Sequence, residues 1–289
     1  MNVTWRRFAA ILWSALLAFA ILIVGQGAWS ALLFLNFKKA SSAPWAVPVM
    51  ALVLFLMWKY LGGSGWPRST SVKRRQLLRA NAVSVRCMVL AFLAGSFAVV
   101  ALAGYWIVFC QLVRTPPNLL PSTSGYPLIT VVLVLAMSTL VSPIVEEMGF
   151  RGYCQQILEA RFAPGTAIVI SSCLFMLAHV NHGWLWPKLV PYFLAGLVFG
   201  SLAYLSNSIL ASIPVHIFGD AVFFIFVWPH DASRRLVSEG GATGWFWGHL
   251  VQAAAFTTLS LLAFKRLRQR TPHAEPRLAA KNSVVSQLL

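Results

Sequence analysis

A few ionisable residues lie inside the apolar stretches of this chain, and they are the side chains there that could take part in catalysis. Three carboxylates, Glu146, Glu147 and Asp220, lie at the end of or within such stretches. Ionisable groups at membrane depth are energetically costly and usually face a bundle interior or a wet cavity, so they are candidates for function. The other four acidic residues are predicted to lie in connectors or in the C-terminal tail: Glu159, Asp231, Glu239 and Glu275.

The first cluster is the segment Glu146-Glu147-Met148-Gly149-Phe150-Arg151. On a helix Glu147 and Arg151 are i and i+4 and meet on one face, while Glu146 points about 100° away. Arg151 therefore neutralises Glu147 and leaves Glu146 for proton transfer, as a general base requires. Taken alone, such a Glu–Arg pair can also serve only to lock two helices together.

Histidines form the second and third clusters. Phe175 precedes His179 by four residues, and His182 shares a helical face with His179 if the helix continues that far. His216 and Asp220 are a further i, i+4 pair, in which the carboxylate could orient the imidazole and set its tautomer. Phe175 is expected to belong to the core, and a single histidine in a span is commonly a packing residue.

Together the clusters supply a glutamate base, two imidazoles and one further polar group around a single water. Such a set can activate water for attack on a peptide carbonyl. Two His and one Glu form a known catalytic zinc ligand set, so Glu146, His179 and His216 could hold Zn²⁺ or another divalent metal. The carboxylate could also act without a metal, and the spacing does not decide between the two.

Long apolar stretches must position these residues. The chain is 58% hydrophobic and only 10% charged, against about a quarter charged in a soluble domain. Stretches of about 20 residues cross the hydrocarbon core. They predict an all-α, polytopic membrane bundle of about eight transmembrane helices, at residues 8–29, 44–61, 86–113, 126–146, 166–182, 189–206, 208–228 and 245–264.

Basic residues lie mostly in short connectors, where they determine membrane topology. The net charge of +16 is therefore not interpreted as a nucleic-acid signal. Seventeen Lys and Arg, Arg151 and Arg161 among them, fall on one side if both termini are cytoplasmic, and six on the other. The first stretch is expected to be a retained span rather than a signal peptide, and the four cysteines to be packing residues.

At these residues the sequence resembles the CAAX prenyl protease and bacteriocin-processing (CPBP, also Abi) family of intramembrane proteases. The family motifs EExxxR, FxxxH and HxxxN or HxxxD are matched in order within about residues 126–230. The matching residues are Glu146, Glu147 and Arg151, then Phe175 and His179, then His216 and Asp220.

The resemblance implies that Glu146 and His179 activate water, that His216 and Asp220 stabilise the oxyanion or help to hold a metal, and that Glu147 and Arg151 support the site. Asp220 stands where the characterised prenyl endopeptidases carry Asn, and an ionised Asp cannot donate a hydrogen bond to an oxyanion. With the predicted boundaries, Glu146 and His179 lie toward opposite membrane faces, so one common site requires those boundaries to shift.

The sequence therefore predicts an intramembrane endopeptidase of the bacterial inner membrane that acts on a membrane-associated peptide or protein. Residues 1–125 are expected to form N-terminal spans with a basic connector, 126–230 the catalytic core, and 231–289 a last span with a basic, partly disordered tail. The alternatives are a proton-coupled transporter and a non-catalytic chaperone or immunity protein. Prenylated proteins, bacteriocin-like peptides and sorting tails of exported proteins all remain open as substrates.

Overall fold

The computed structural model describes residues 3–39, 42–116 and 125–271, and the regular elements in these ranges are helical. The fold is an all-α membrane helix bundle. The helices are α1 (Val3–Lys39), α2 (Ala46–Leu61), α3 (Ser71–Leu78), α4 (Val85–Leu112), α5 (Leu128–Glu146), α6 (Gln155–Glu159), α7 (Pro164–Ala178), α8 (Trp186–Ser206), α9 (Ile213–Val222), α10 (Val237–Gly240) and α11 (Gly244–Arg270). The predicted disordered tail lies outside the described residues.

Each of the eight predicted apolar segments is matched by an apolar helix, but their lengths differ from the prediction. In the described ranges, six helical segments are long and apolar enough to cross a membrane, whereas Ala46–Leu61 and Pro164–Ala178 are shorter. The first helix begins at Val3 and ends at Lys39, well beyond the predicted 8–29. The chain is thus an integral membrane protein in which two of the eight apolar helices are short.

The predicted end of the fourth span at residue 146 is wrong. α5 continues without a break through a π-helical segment, Glu147–Cys154, into α6, so that one apolar helix runs over Leu128–Glu159. Short π-helical segments inside α-helices are frequent at functional sites. Glu146 therefore lies inside its span, with twelve residues between it and Glu159, which is about 20 Å further along the helix.

The predicted fifth span also ends early. α7 stops at Ala178, His179 occupies its C-cap, and Val180–His182 form a single 3₁₀ turn. The helix does not persist to residue 182, so the shared helical face expected for His179 and His182 is not formed. The fifteen residues from Pro164 to His179 correspond to about 22 Å of helix, which brings His179 to the depth of Glu146 in the antiparallel neighbour.

Contacts between connectors define two ends of the bundle. At one end, which we call the basic end, residues 62–84 meet Glu159 and residues 207–212, as shown by the Arg79–Glu159 pair and by the hydrogen bond from Ile209 N to Arg79 O. The opposite, distal end carries residues 42–45, 179–185 and 228–243. There Trp106 Nε1 donates to Asp231 at 2.9 Å, and the Phe109 and Trp186 rings lie 5.0 Å apart.

Several charged residues predicted in connectors are in fact buried. Glu159 pairs with Arg79 at 2.9 Å, both side chains only 3% exposed, and Asp231 is 2% exposed. Arg151, assigned from the sequence to the cytoplasmic side, is inside the bundle at 1% exposure. These residues have ion-pair or hydrogen-bond partners in the fold, which burial of a charge requires.

α1 reaches the centre of the bundle and packs against the π-helical segment. A Cβ atom on Gly149 would lie 3.1 Å from the Ala18 carbonyl oxygen and 3.5 Å from Ala18 Cα. The missing side chain therefore lets the two helix backbones approach closely. Because of this packing, a helix far outside the three motifs contributes to the wall of the site.

Candidate active site

Glu147 is fully buried and has three partners. Its carboxylate accepts hydrogen bonds from Ser212 Oγ at 2.5 Å and from His216 Nδ1 at 2.9 Å. Arg151 Nη1 lies 3.1 Å from its Oε1. The i, i+4 pairing predicted for Glu147 and Arg151 is therefore present, although the two residues stand in a π-helical rather than an α-helical turn.

The Arg151 guanidinium is held mainly by charge and by aromatic rings. Its centre lies 4.0 Å from the Phe175 ring centroid and 5.2 Å from that of Phe199. In the described part of the chain, Nη1 and Nη2 make no hydrogen bond of good geometry. The close approach of Arg151 to Glu147 is therefore an ion pair whose N–H group does not point at the carboxylate oxygen. A cation over a desolvated aromatic face gains up to about 2 kcal/mol, which accounts for Phe175 in this position.

His216 is oriented by Glu147. The sequence had suggested Asp220 for this role. Since the Glu147 carboxylate accepts, Nδ1 donates, and Nε2 points to the other side of the ring. There it lies 3.6 Å from Glu146 Oε2 and 3.7 Å from Asp220 Oδ1. The ring stacks on Phe199, with centroids 4.2 Å apart, so both its plane and its direction are fixed.

His179 is fixed in a comparable way from the end of α7. Its Nδ1 lies 2.8 Å from the Phe175 carbonyl oxygen, and because a carbonyl can only accept, Nδ1 must carry the hydrogen. The ring stacks on Tyr192 at 4.0 Å between centroids. In the neutral imidazole, Nε2 is then an acceptor, and it lies 3.9 Å from Glu146 Oε2.

The two oxygens of Glu146 have different surroundings. Oε1 accepts hydrogen bonds from Ser142 Oγ at 2.7 Å and from Gln26 Nε2 at 3.4 Å. Gln26 Nε2 also donates to Ser142 Oγ at 2.9 Å. Oε2 is buried and has no hydrogen-bond partner in the described residues, and it faces Nε2 of both histidines. One oxygen is thus held in place while the other is directed toward them.

These groups lie at one boundary of a cavity of about 650 Å³. Glu146, His179, His216 and Asp220 all line it, and much of the remaining wall is aromatic. Among the described residues that line the cavity, none is Lys or Arg. The aromatic residues of the wall are Trp29, Trp106, Phe175, Tyr192, Phe199, Phe223, Phe224 and Trp228.

The types of donor suit a divalent metal, because two imidazole Nε2 atoms and a carboxylate oxygen converge. Their spacing is wider than a zinc site needs, since ligands about 2.0–2.1 Å from the ion lie about 3.3 Å apart in a tetrahedron. The observed separations are 3.6 and 3.9 Å. Within the described ranges, no group of three or more His, Cys, Asp or Glu is arranged to hold a metal ion.

Thus the fold brings together seven of the eight residues predicted for the site. The side chain of His182 lies outside the described residues. Sequence reasoning missed Gln26, Ser142 and Ser212, which hold the two carboxylates. Ser142 and Ser212 each precede a motif residue, Glu146 and His216, by one helical turn, and that spacing could have found them. Gln26 stands in a long apolar stretch, where a lone polar residue is itself a signal.

Comparison with known proteins agrees with this arrangement. Residues 128–222 match the family model described as type II CAAX prenyl endopeptidase Rce1-like. This segment resembles the CAAX protease family. The matched segment is about a third of the chain and contains all three motifs. Comparisons with curated proteins and with solved structures found no match.

At the level of the family, this match supports a CAAX-protease-like intramembrane peptidase. A membrane-embedded peptidase acts on a peptide or protein at the membrane. Gln26 and the rest of α1 lie outside the matched segment.

Proposed function

We propose that the chain is an endopeptidase in which Glu146 is the general base for an attacking water. The observation that carries the proposal is the buried Oε2 of Glu146, which has no hydrogen-bond partner in the described residues and faces His179 and His216. A water 2.8 Å from both Glu146 Oε2 and His179 Nε2 fits between them, because those acceptors are 3.9 Å apart. It would donate one hydrogen to each acceptor.

The reaction then proceeds in two balanced steps. The water oxygen forms a bond to the scissile carbonyl carbon, its proton passes to Glu146, and the carbonyl oxygen becomes an oxyanion. When the C–N bond breaks, Glu146 returns the proton to the leaving amine. One carboxylate thus serves first as general base and then as general acid, a role that contributes about 10²–10⁴-fold to rate.

His216 is proposed to stabilise the oxyanion. In its protonated form, the Nε2–H points toward the cavity, and the carboxylates of Glu147 and Asp220 at its two ends neutralise the positive charge. Asp220 then acts through His216, which removes the difficulty that an ionised Asp cannot donate to the oxyanion itself. Preorganised donors of this kind are often the largest electrostatic contribution to catalysis.

We propose that the reaction uses no metal, and the support is that the donors lie 3.6 and 3.9 Å apart, wider than zinc ligands in a tetrahedron. We expect dialysis against EDTA and addition of 1,10-phenanthroline to leave cleavage unchanged, and Zn²⁺ not to stimulate it. Loss of cleavage on chelation, with recovery on adding a single metal, would replace this glutamate mechanism with a metallopeptidase mechanism.

The test of the function compares E146Q with the unsubstituted chain. Gln has nearly the same shape as Glu but cannot take a proton, so cleavage should fall about 10²–10⁴-fold with normal expression. Mass spectrometry of new peptide termini in membranes of expressing cells would identify the substrate bonds. E239Q is the matched control, because Glu239 is an exposed carboxylate, and it should cleave normally.

The same experiment separates the competing functions. A proton-coupled transporter would lose flux in E146Q with no change in peptide termini, and a non-catalytic chaperone or immunity protein would show neither effect. We further propose, from the distribution of basic residues, that both termini are cytoplasmic in a bacterial inner membrane. Protein fusions to the two termini, read by side-specific protease treatment, test that orientation.

A further inference from the structure

The site is closed toward the basic end of the bundle. On that side of Glu146 lie Glu147, Arg151 and Ser212, all fully or almost fully buried. Ser212 and Arg151 both contact the Glu147 carboxylate. This packed polar layer fills the space between the site and the connectors of the basic end, so no substrate segment passes there without disrupting a buried ion pair.

The cavity extends the other way. On α1 its lining runs from Leu22 to Leu33, toward the end of the helix at Lys39. On α5 it includes Ser138, two helical turns before Glu146, and beyond the end of α9 at Val222 it reaches Trp228. All three directions lead to the distal end.

The short α7 explains why space is present there. It ends at Ala178, at the depth of the site, and after the 3₁₀ turn Val180–His182 no helix of the described residues continues it between α1 and α8 in the distal half of the bundle. Ser30 and Asn181, which line the cavity at this level, are exposed. Because α7 ends directly before His179, it leaves an opening beside that residue.

The lining also limits what the cavity accepts. Its walls are mostly apolar and include eight aromatic residues, it carries the carboxylates of Glu146 and Asp220, and its described lining has no Lys or Arg. An extended apolar segment suits such walls. An acidic residue or a free C-terminal carboxylate beside the scissile bond would meet like charge without a cation to pair with.

We propose that the substrate is an apolar, membrane-embedded segment of an exported protein, cut internally after it enters from the distal end. This inference rests on the proposed peptidase function. It also uses the basic residues to place the distal end outside the cytoplasm. Trp184 and Trp245 are 73% and 64% exposed at that end, as expected for side chains at a membrane interface.

The test measures access to the cavity from each side of the membrane. The probe is MTSET, a small cationic thiol reagent that does not cross membranes, applied to spheroplasts that express the full-length chain. S138C reports on the cavity, since Ser138 lines it at half burial. A136C is the matched control, two residues away on α5, exposed on the bundle surface and outside the cavity lining. S69C reports on the exposed connector of the basic end.

External MTSET should remove the free thiol of S138C, leave that of A136C, and reach S69C only after permeabilisation. The unsubstituted chain sets the background from its four cysteines. Reaction of S69C from outside, with S138C protected, would overturn the inference because the cavity would then open to the cytoplasm. Protection of S138C from both sides would overturn it as well, because no aqueous opening would exist.

Labelling is repeated in the E146Q background, which separates this inference from the proposed function. Access from outside without any cleavage activity in the unsubstituted chain would reject the peptidase proposal and keep the direction of access. Cleavage by a chain whose S138C is protected from outside would keep the peptidase and reject the direction. MTSET added outside should also abolish cleavage by S138C and leave cleavage by A136C intact.

Discussion

Removal of Arg151 should destabilise the fold far more than removal of an exposed arginine. The pair with Glu147 is 3.1 Å apart, with exposures of 1% and 0%. At an effective dielectric constant of about 20, this separation corresponds to an attraction of about 5 kcal/mol. Breaking a buried pair costs about 3–5 kcal/mol, chiefly because the remaining charge is left uncompensated. We therefore expect R151M to lose about 3–5 kcal/mol of unfolding free energy.

Removal of the other partner, Glu147, should cost less unfolding free energy. E147Q leaves Arg151 charged, but the guanidinium still lies against the Phe175 and Phe199 rings, which provide partial compensation. The double variant E147Q/R151M leaves neither charge alone, so its loss should be smaller than the sum of the two single losses by about 2–3 kcal/mol, within the range of coupling between residues in contact.

The assay is reversible SDS titration in mixed micelles, followed by tryptophan fluorescence, for the four chains of the cycle. R75M is the control because Arg75 is an exposed cation at the basic end, and it should change stability by less than about 0.5 kcal/mol. An R151M variant as stable as R75M, or single losses that simply add in the double variant, would refute the reasoning from the buried pair.

Three further predictions concern residues outside the motifs. S142A removes the 2.7 Å hydrogen bond to Glu146 Oε1. Hydrogen bonds to charged groups contribute about 1.5–3 kcal/mol, so kcat should fall about 10–100-fold, and S142T should restore part of it. An unchanged kcat in S142A would contradict a positioning role for Ser142. Q26L removes the longer 3.4 Å contact and should lower kcat by about tenfold or less without changing the melting temperature; a loss of folded protein would instead mean that Gln26 is structural. R79Q breaks the buried pair with Glu159 and should cost about 3–5 kcal/mol of unfolding free energy. Because this pair is remote from the cavity, kcat per folded molecule should stay constant. A selective drop in kcat would disagree with that assignment.

The residues that cluster at the site were predictable because polar residues are so few in the apolar stretches. Glu146, His179 and His216 stood out from the sequence, and the i, i+4 relation identified Arg151 as the partner of Glu147 before any fold was known. The lengths of the helices were not predictable to the same degree. The predicted fourth span ended at Glu146, before the charged residues at 151 and 159, but the fold buries both with partners, and the helix continues to Glu159.

That error also produced the depth conflict between Glu146 and His179. A hydropathy profile shows where charged residues interrupt an apolar stretch. It does not show that Arg79, in a connector 80 residues away, pairs with Glu159 in the fold. The partners of Glu146 were hidden for the same reason. Gln26 is 120 residues away in the chain, and only the close packing of α1 against Gly149 brings the first helix to the site.

The two adjacent glutamates show how such remote partners create function from a repeated residue. Glu147 is surrounded by Ser212, His216 and Arg151, so its charge is used to orient an imidazole and to hold helices together. Glu146 has partners for one oxygen only, and the other faces the cavity. Identical side chains with the same intrinsic acidity thus differ in role: one is a fully paired structural anion, and the other keeps one oxygen for the base role proposed for it. Exchanging their roles would require moving Ser212 and α1, and so the order of the pair, as well as its composition, is set by the fold.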